Sequence, residues 1–74
     1  MALNVKVALA KRIKELRNLR SITQEELAIK SKIDYKYVQR IEGKNPPNIT
    51  IETIDKISRA LGVSVTELMT FKKQ

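Results

Sequence analysis

The chain has no cysteine and no histidine. Without thiols there is no disulfide and no thiolate metal site, and without imidazole the usual zinc ligands are missing. The same absences remove a histidine acid–base pair, a Ser–His triad and a cysteine nucleophile. Carboxylate or lysine chemistry stays open in principle, but 74 residues seldom enclose a pocket. An enzyme is therefore disfavoured, and no metal, cofactor or small-molecule effector is expected. Tryptophan is also absent, and two Tyr and one Phe make no stacking platform for single-stranded RNA. No apolar run approaches the roughly 18 residues of a membrane span. The first residues, Met1 to Lys6, lack the layout of a signal peptide. A cytoplasmic protein without membrane contact is the expectation. Glycine and proline are scarce, with two of each at Gly43, Gly62, Pro46 and Pro47. No hairpin dipeptide and no sustained alternation of apolar and polar residues occurs, so strands are not expected.

What is present is charge and helical periodicity. Fifteen Lys+Arg stand against eight Asp+Glu, a net charge of +7, and 42% of residues are hydrophobic. The length allows one domain over residues 1–74, with its core about 5–70, a frayed tail at 72–74 and a radius of gyration of roughly 11 Å. With no covalent or metal staple, stability must come from helix packing or oligomerisation. A basic balance favours an anionic partner, most often nucleic acid, but the same charge also serves solubility.

The first helix is expected over about Leu3 to Leu19, with Val5, Leu9, Ile13 and Leu16 as its apolar stripe. Its other faces carry Lys6, Lys11, Arg12, Lys14, Arg17 and Arg20, which read as a mostly solvated surface. Thr23 and Glu26 fit a capping box for a short helix over about Gln24 to Ser31, and Ile22 with Leu27 fit a hydrophobic staple. Asp34 caps a third helix running through Tyr35 to Glu42, with Gly43 as its C′ glycine. Pro46 and Pro47 forbid helix in the following loop. Thr50 opens a fourth helix with Ile51, Ile54, Ile57 and Leu61 on its apolar side, ended by Gly62. A short fifth helix begins at Ser64 or Val65. The fold class is all-α, a compact five-helix unit.

Helices two and three, joined by a three-to-four-residue turn, suggest a helix-turn-helix in a small basic protein. For the pair to pack, Leu27 and Ala28 must meet Val38 and Ile41, with Ile33 plugging the turn. At 100° per residue, Tyr35, Lys36, Gln39 and Arg40 then face away, with Tyr37 at the boundary. That outward face holds donors and aromatics and no acid.

The combination Thr23-Gln24-Glu25-Glu26-Leu27-Ala28, Val38 and Arg40-Ile41-Glu42-Gly43 resembles the phage-repressor-like helix-turn-helix family, of Cro/cI type, also called XRE. Ile51-Glu52-Thr53-Ile54, Ala60-Leu61-Gly62-Val63-Ser64 and Glu67-Leu68 are similar to the last two helices of the same family. The resemblance covers about residues 9 to 69 and implies a lambda-repressor-like domain with the helix-turn-helix at helices two and three. Length and the Lys30-Ser31-Lys32-Ile33-Asp34 turn look like small stand-alone regulators, among them restriction–modification controller proteins.

The resemblance implies roles for individual residues. Tyr35, Lys36 and Arg40 sit where the family reads bases in the major groove, and Lys or Arg to guanine is the commonest specific contact. Gln39 is outward beside them. Gln24 is expected on a DNA phosphate and against the recognition helix. Tyr37, Lys44, Asn45 and Asn48 are expected on the DNA backbone. Arg17 and Glu42 match a structural ion pair. Asp34 is expected to cap, since a carboxylate repels phosphate. Lys32 stands where the family usually has glycine.

The expected function is a sequence-specific transcriptional regulator of double-stranded DNA, a repressor or controller, acting as a homodimer on a palindromic operator. Val65, Leu68, Met69 and Phe71 are the expected dimer contacts, with ordinary core packing on helix one as the alternative. With no appended sensor domain, control by protein concentration is expected, which fits autoregulation. The competing reading is an antitoxin or adaptor whose helix-turn-helix binds protein. An adaptor should carry an apolar or acidic outward face on the third helix.

Overall fold

A computed structural model describes residues 4–71. Leu3 and the tail at 72–74, both included in the expectations above, lie outside the described residues. Within them the chain forms five helices: α1 (Val5–Leu19), α2 (Gln24–Ser31), α3 (Tyr35–Ile41), α4 (Ile51–Leu61) and α5 (Val65–Leu68). The radius of gyration is 11.3 Å.

Each helix starts where a side chain takes up the free N–H groups of the first turn. Asn4, Thr23, Asp34, Thr50 and Ser64 are the five N-caps. At α2 the box is reciprocal: Glu26 N–H donates to Thr23 Oγ1 at 3.0 Å, and Thr23 N–H donates to Glu26 Oε1 at 2.9 Å. The same device recurs at α5 between Ser64 and Glu67. A four-residue helix has little intrinsic stability, so such a cap matters most there.

Three helix ends share one closure. The N–H of Ile22, Ile33 and Val63 donates to the carbonyl of Arg17, Ala28 and Ser58, five residues back. This Schellman geometry needs a left-handed residue just before each donor. Those residues are Ser21 at φ 55°, Lys32 at φ 58° and Gly62 at φ 71°. Lys32 thus adopts the conformation that the family's glycine serves, and only one of the three positions holds glycine here. The α3 end differs from the expectation. Glu42 caps it with right-handed geometry, and Gly43 is not left-handed. A Cβ at Gly43 would lie 3.3 Å from the Gln39 carbonyl oxygen, so close approach is what favours glycine there.

The core is formed by one contact cluster that includes Leu9, Ile13, Leu16, Leu27, Ala28, Val38, Ile41, Ile57, Leu61 and Leu68. Each fully buried aliphatic side chain contributes roughly 1.5–3 kcal/mol relative to exposure. Two expected stripe residues are outside it. Val5 is 52% exposed and Ile51 is 82% exposed. Both sit in the first turn of their helix, where the apolar period runs on past the neighbours that would cover it. Ser31 and Ser58 are buried instead, and each hydroxyl donates to a carbonyl of its own helix, Leu27 at 2.6 Å and Asp55 at 2.8 Å. No polar group is thereby stranded.

Arg12 departs from the solvated-face expectation for α1. Its Nε and Nη2 donate to the Glu67 carbonyl at 3.2 and 3.0 Å, and its Nη1 pairs with Glu15 at 2.6 Å. One cation therefore ties α1 to the α5 backbone.

Candidate nucleic-acid interface

The burial of Val38 and Ile41 fixes the rotation of α3. Tyr35, Lys36, Gln39 and Arg40 consequently stand exposed on one side of it, and Tyr37 is half-buried at the edge. The face has internal order. Gln39 Nε2 donates to the Tyr35 hydroxyl at 3.2 Å, one turn away. The Arg40 guanidinium lies over the Tyr37 ring, 5.7 Å from its centroid. Among the described residues neither Lys36 nor Arg40 has a carboxylate partner. The Tyr37–Arg40 contact was not anticipated from the sequence; their spacing, three apart on a helix, is the signal that could have found it. Asp34 turns inward to the backbone, its Oδ1 accepting the Lys36 N–H at 2.8 Å, which keeps its charge at the helix start.

The end of α3 is held from two directions. Arg17 donates to Glu42 through Nε at 2.8 Å and Nη2 at 2.9 Å. Its Nη1 donates to the Ile22 carbonyl at 2.8 Å. The two side chains are only 11% and 2% exposed. The hydrogen bond to Glu42 raises the Arg17 pKa above its ordinary value, and desolvation only partly opposes this. The bidentate fork satisfies both charges in a site with little water. Gln24, the first residue of α2, adds a third donor: its Nε2 reaches Glu42 Oε1 at 3.1 Å. An amide nitrogen carries two hydrogens. One braces Gln24 against the end of α3, and the other, with the side-chain oxygen, remains for a ligand at the α2 start.

Lys44, Asn45 and Asn48 are all exposed in the segment that follows α3. The four apolar residues expected to form a dimer contact separate. Val65 is 39% exposed, and Met69 and Phe71 are half-buried. Leu68 is 0% exposed and belongs to the core, so its place among the dimer contacts is corrected. It is the residue through which the one-turn α5 docks on the other helices.

Among the described residues no group of acidic side chains is arranged to hold a metal ion, and no helix is long and apolar enough to cross a membrane. The arrangement is a donor-rich face backed by a half-buried ion pair, suited to an anionic groove.

Comparison with known proteins gives the same picture. Residues 12–74 match the sequence profile of the Cro/C1-type HTH DNA-binding domain. The chain is 32% identical over 68 residues to control protein C.SmaI of Serratia marcescens, covering 92% of this chain and 80% of that protein. It superposes on the restriction-modification controller protein C.AhdI from Aeromonas hydrophila with a TM-score of 0.80 and 33% identity, over 85% of this chain and 94% of that one. It likewise matches C.Esp1396I bound to a 25 base pair operator site, with a TM-score of 0.81 and 32% identity, over 92% of each chain. With the profile spanning most of the sequence and the helix-turn-helix in place at α2 and α3, the chain belongs to the Cro/C1-type helix-turn-helix DNA-binding family.

Proposed function

We propose that the chain is a sequence-specific transcriptional regulator of the controller type, a single 1–74 domain binding double-stranded DNA in the cytoplasm as a homodimer. The observation that carries the reading is the acid-free face of α3, with Tyr35, Lys36, Gln39 and Arg40 exposed together. In the major groove Lys36 and Arg40 donate to guanine O6 and N7, while Tyr35 packs on a thymine methyl. Gln39 flanks these contacts. Gln24, Lys44, Asn45 and Asn48 hold phosphates and fix register without reading sequence. The similarity to C.Esp1396I, a controller protein bound to a 25 base pair operator site, supports DNA binding here.

One α3 offers few base contacts, so two copies on a palindrome are needed for specificity. Their half-sites would lie about one helical turn apart. Val65, Met69 and Phe71 form the contact between copies in this reading. Control by protein concentration then fits autoregulation.

Selection of bound DNA from a random pool tests the reading directly. The expected product is a two-fold symmetric consensus. Recovery of no consensus, or of one unaltered by Arg40→Ala and Lys36→Ala, would overturn it.

A further inference from the structure

We propose that Tyr37 is a positioning residue for base reading: its ring holds the Arg40 guanidinium ready for one base pair, which is therefore read more strictly than the pair met by Lys36. The inference rests on the DNA reading above and assigns Tyr37 a role other than phosphate binding.

Four observations converge. The Tyr37 ring is half-buried and packs against the core cluster, so it is a fixed surface. The Arg40 guanidinium lies 5.7 Å from the ring centroid, inside the range of cation–π attraction. No carboxylate among the described residues competes for that guanidinium. Lys36, on the same face, has no ring or acid partner among the described residues.

Arginine and lysine side chains each carry much rotamer freedom, which is lost on binding. Stacking removes part of that freedom from Arg40 before DNA arrives, and the planar fork meets guanine with two parallel bonds only from a restricted orientation. Lys36 pays its ordering on contact and presents a point charge. The Gln39–Tyr35 hydrogen bond orders the other side of the face but involves no charged group.

The test uses the intact chain and the sites recovered by random selection. Arg40→Ala first identifies the base pair that Arg40 reads. Tyr37→Phe, which keeps the ring, should change discrimination there by less than about twofold. Tyr37→Leu, which removes the ring face, should lower it by about two- to fivefold. Discrimination at the Lys36 base pair and the salt dependence should not change. In the Arg40→Ala background, Tyr37→Leu should have no further effect on discrimination.

A uniform weakening by Tyr37→Phe across all sequences, with a shallower salt dependence, would make the hydroxyl a phosphate ligand and overturn the proposal. Unchanged discrimination in a folded Tyr37→Leu would do the same. If that variant does not fold, the wild-type chain still decides. Its Arg40 side-chain protons should show ring-current shifts in NMR spectra, and unshifted protons in the wild type refute the contact. A failed consensus sinks the DNA reading itself. A consensus relaxed by Arg40→Ala but not by Tyr37→Leu sinks only this inference.

Discussion

Lys32 at φ 58° and ψ 40° and Ser21 at φ 55° are left-handed without being glycine. An L-residue in that region is strained by about 1–2 kcal/mol, and glycine gives back part of the relief by loosening the unfolded chain. Lys32→Gly and Ser21→Gly should each raise the melting temperature by a few degrees, taking roughly 4–8 °C per kcal/mol for a domain of this size. Thermal denaturation followed by circular dichroism reads it, and a lower midpoint for either would mean the strain is relieved elsewhere. The Lys32 turn was legible because the family pattern has glycine there. Ser21 was not, since nothing in Leu19-Arg20-Ser21-Ile22 marks a left-handed residue. Its conformation follows from the closing bond between Ile22 and Arg17, which only the folded link reveals.

At the scale of elements, periodicity and capping residues located all five helices and the inward side of all but α5. It did not say where a face runs out of neighbours, which is why Val5 and Ile51 proved exposed. Nor did it expose the Arg12 bond to the Glu67 carbonyl, made between residues 55 apart, or the burial of Leu68 beneath a helix of one turn. Local spacing carries no information on contacts of that range. For α3 the rotation was legible, because Val38 and Ile41 leave one outward face. Within it, Arg40→Ala or Lys36→Ala should cost roughly 1–3 kcal/mol at particular base pairs and relax specificity there. Lys44→Ala, beyond the helix end, should instead weaken all sequences alike and reduce the salt slope by about one counterion. Binding titrations on the selected site and on single-base variants, across salt concentrations, separate the two outcomes. A base-specific effect at Lys44 would contradict the division.

For the whole molecule, the net charge of +7 divides by location. Arg12, Arg17 and Arg59 are engaged with protein groups, while Lys36, Arg40 and Lys44 lie on or just after the α3 face without a carboxylate partner among the described residues. Those three cations, rather than the sum, carry the functional claim. A folded homodimer should melt at a higher temperature as protein concentration rises. Val65→Asp should abolish that concentration dependence and leave a folded monomer. Leu68→Ala should destabilise the fold itself, by about 2–5 kcal/mol, since it opens a cavity in the core. Sedimentation and thermal melts of the two variants distinguish an interface residue from a core residue. A concentration-independent melt in the wild type would remove the dimer.

The Arg17–Glu42 contact joins positions 25 apart and also takes in the Ile22 carbonyl and Gln24. Nothing is gained from it until α1, the start of α2 and the end of α3 have all docked. Such a contact is expected to form in the last steps of folding. Glu42→Ala strands a half-buried guanidinium and should lower stability by up to about 3 kcal/mol. In stopped-flow denaturant experiments nearly all of that loss should appear as faster unfolding, with the refolding arm almost unmoved. The pair would then govern how long each native molecule lasts rather than how quickly a new one forms, a lifetime control in a protein whose proposed signal is its own abundance.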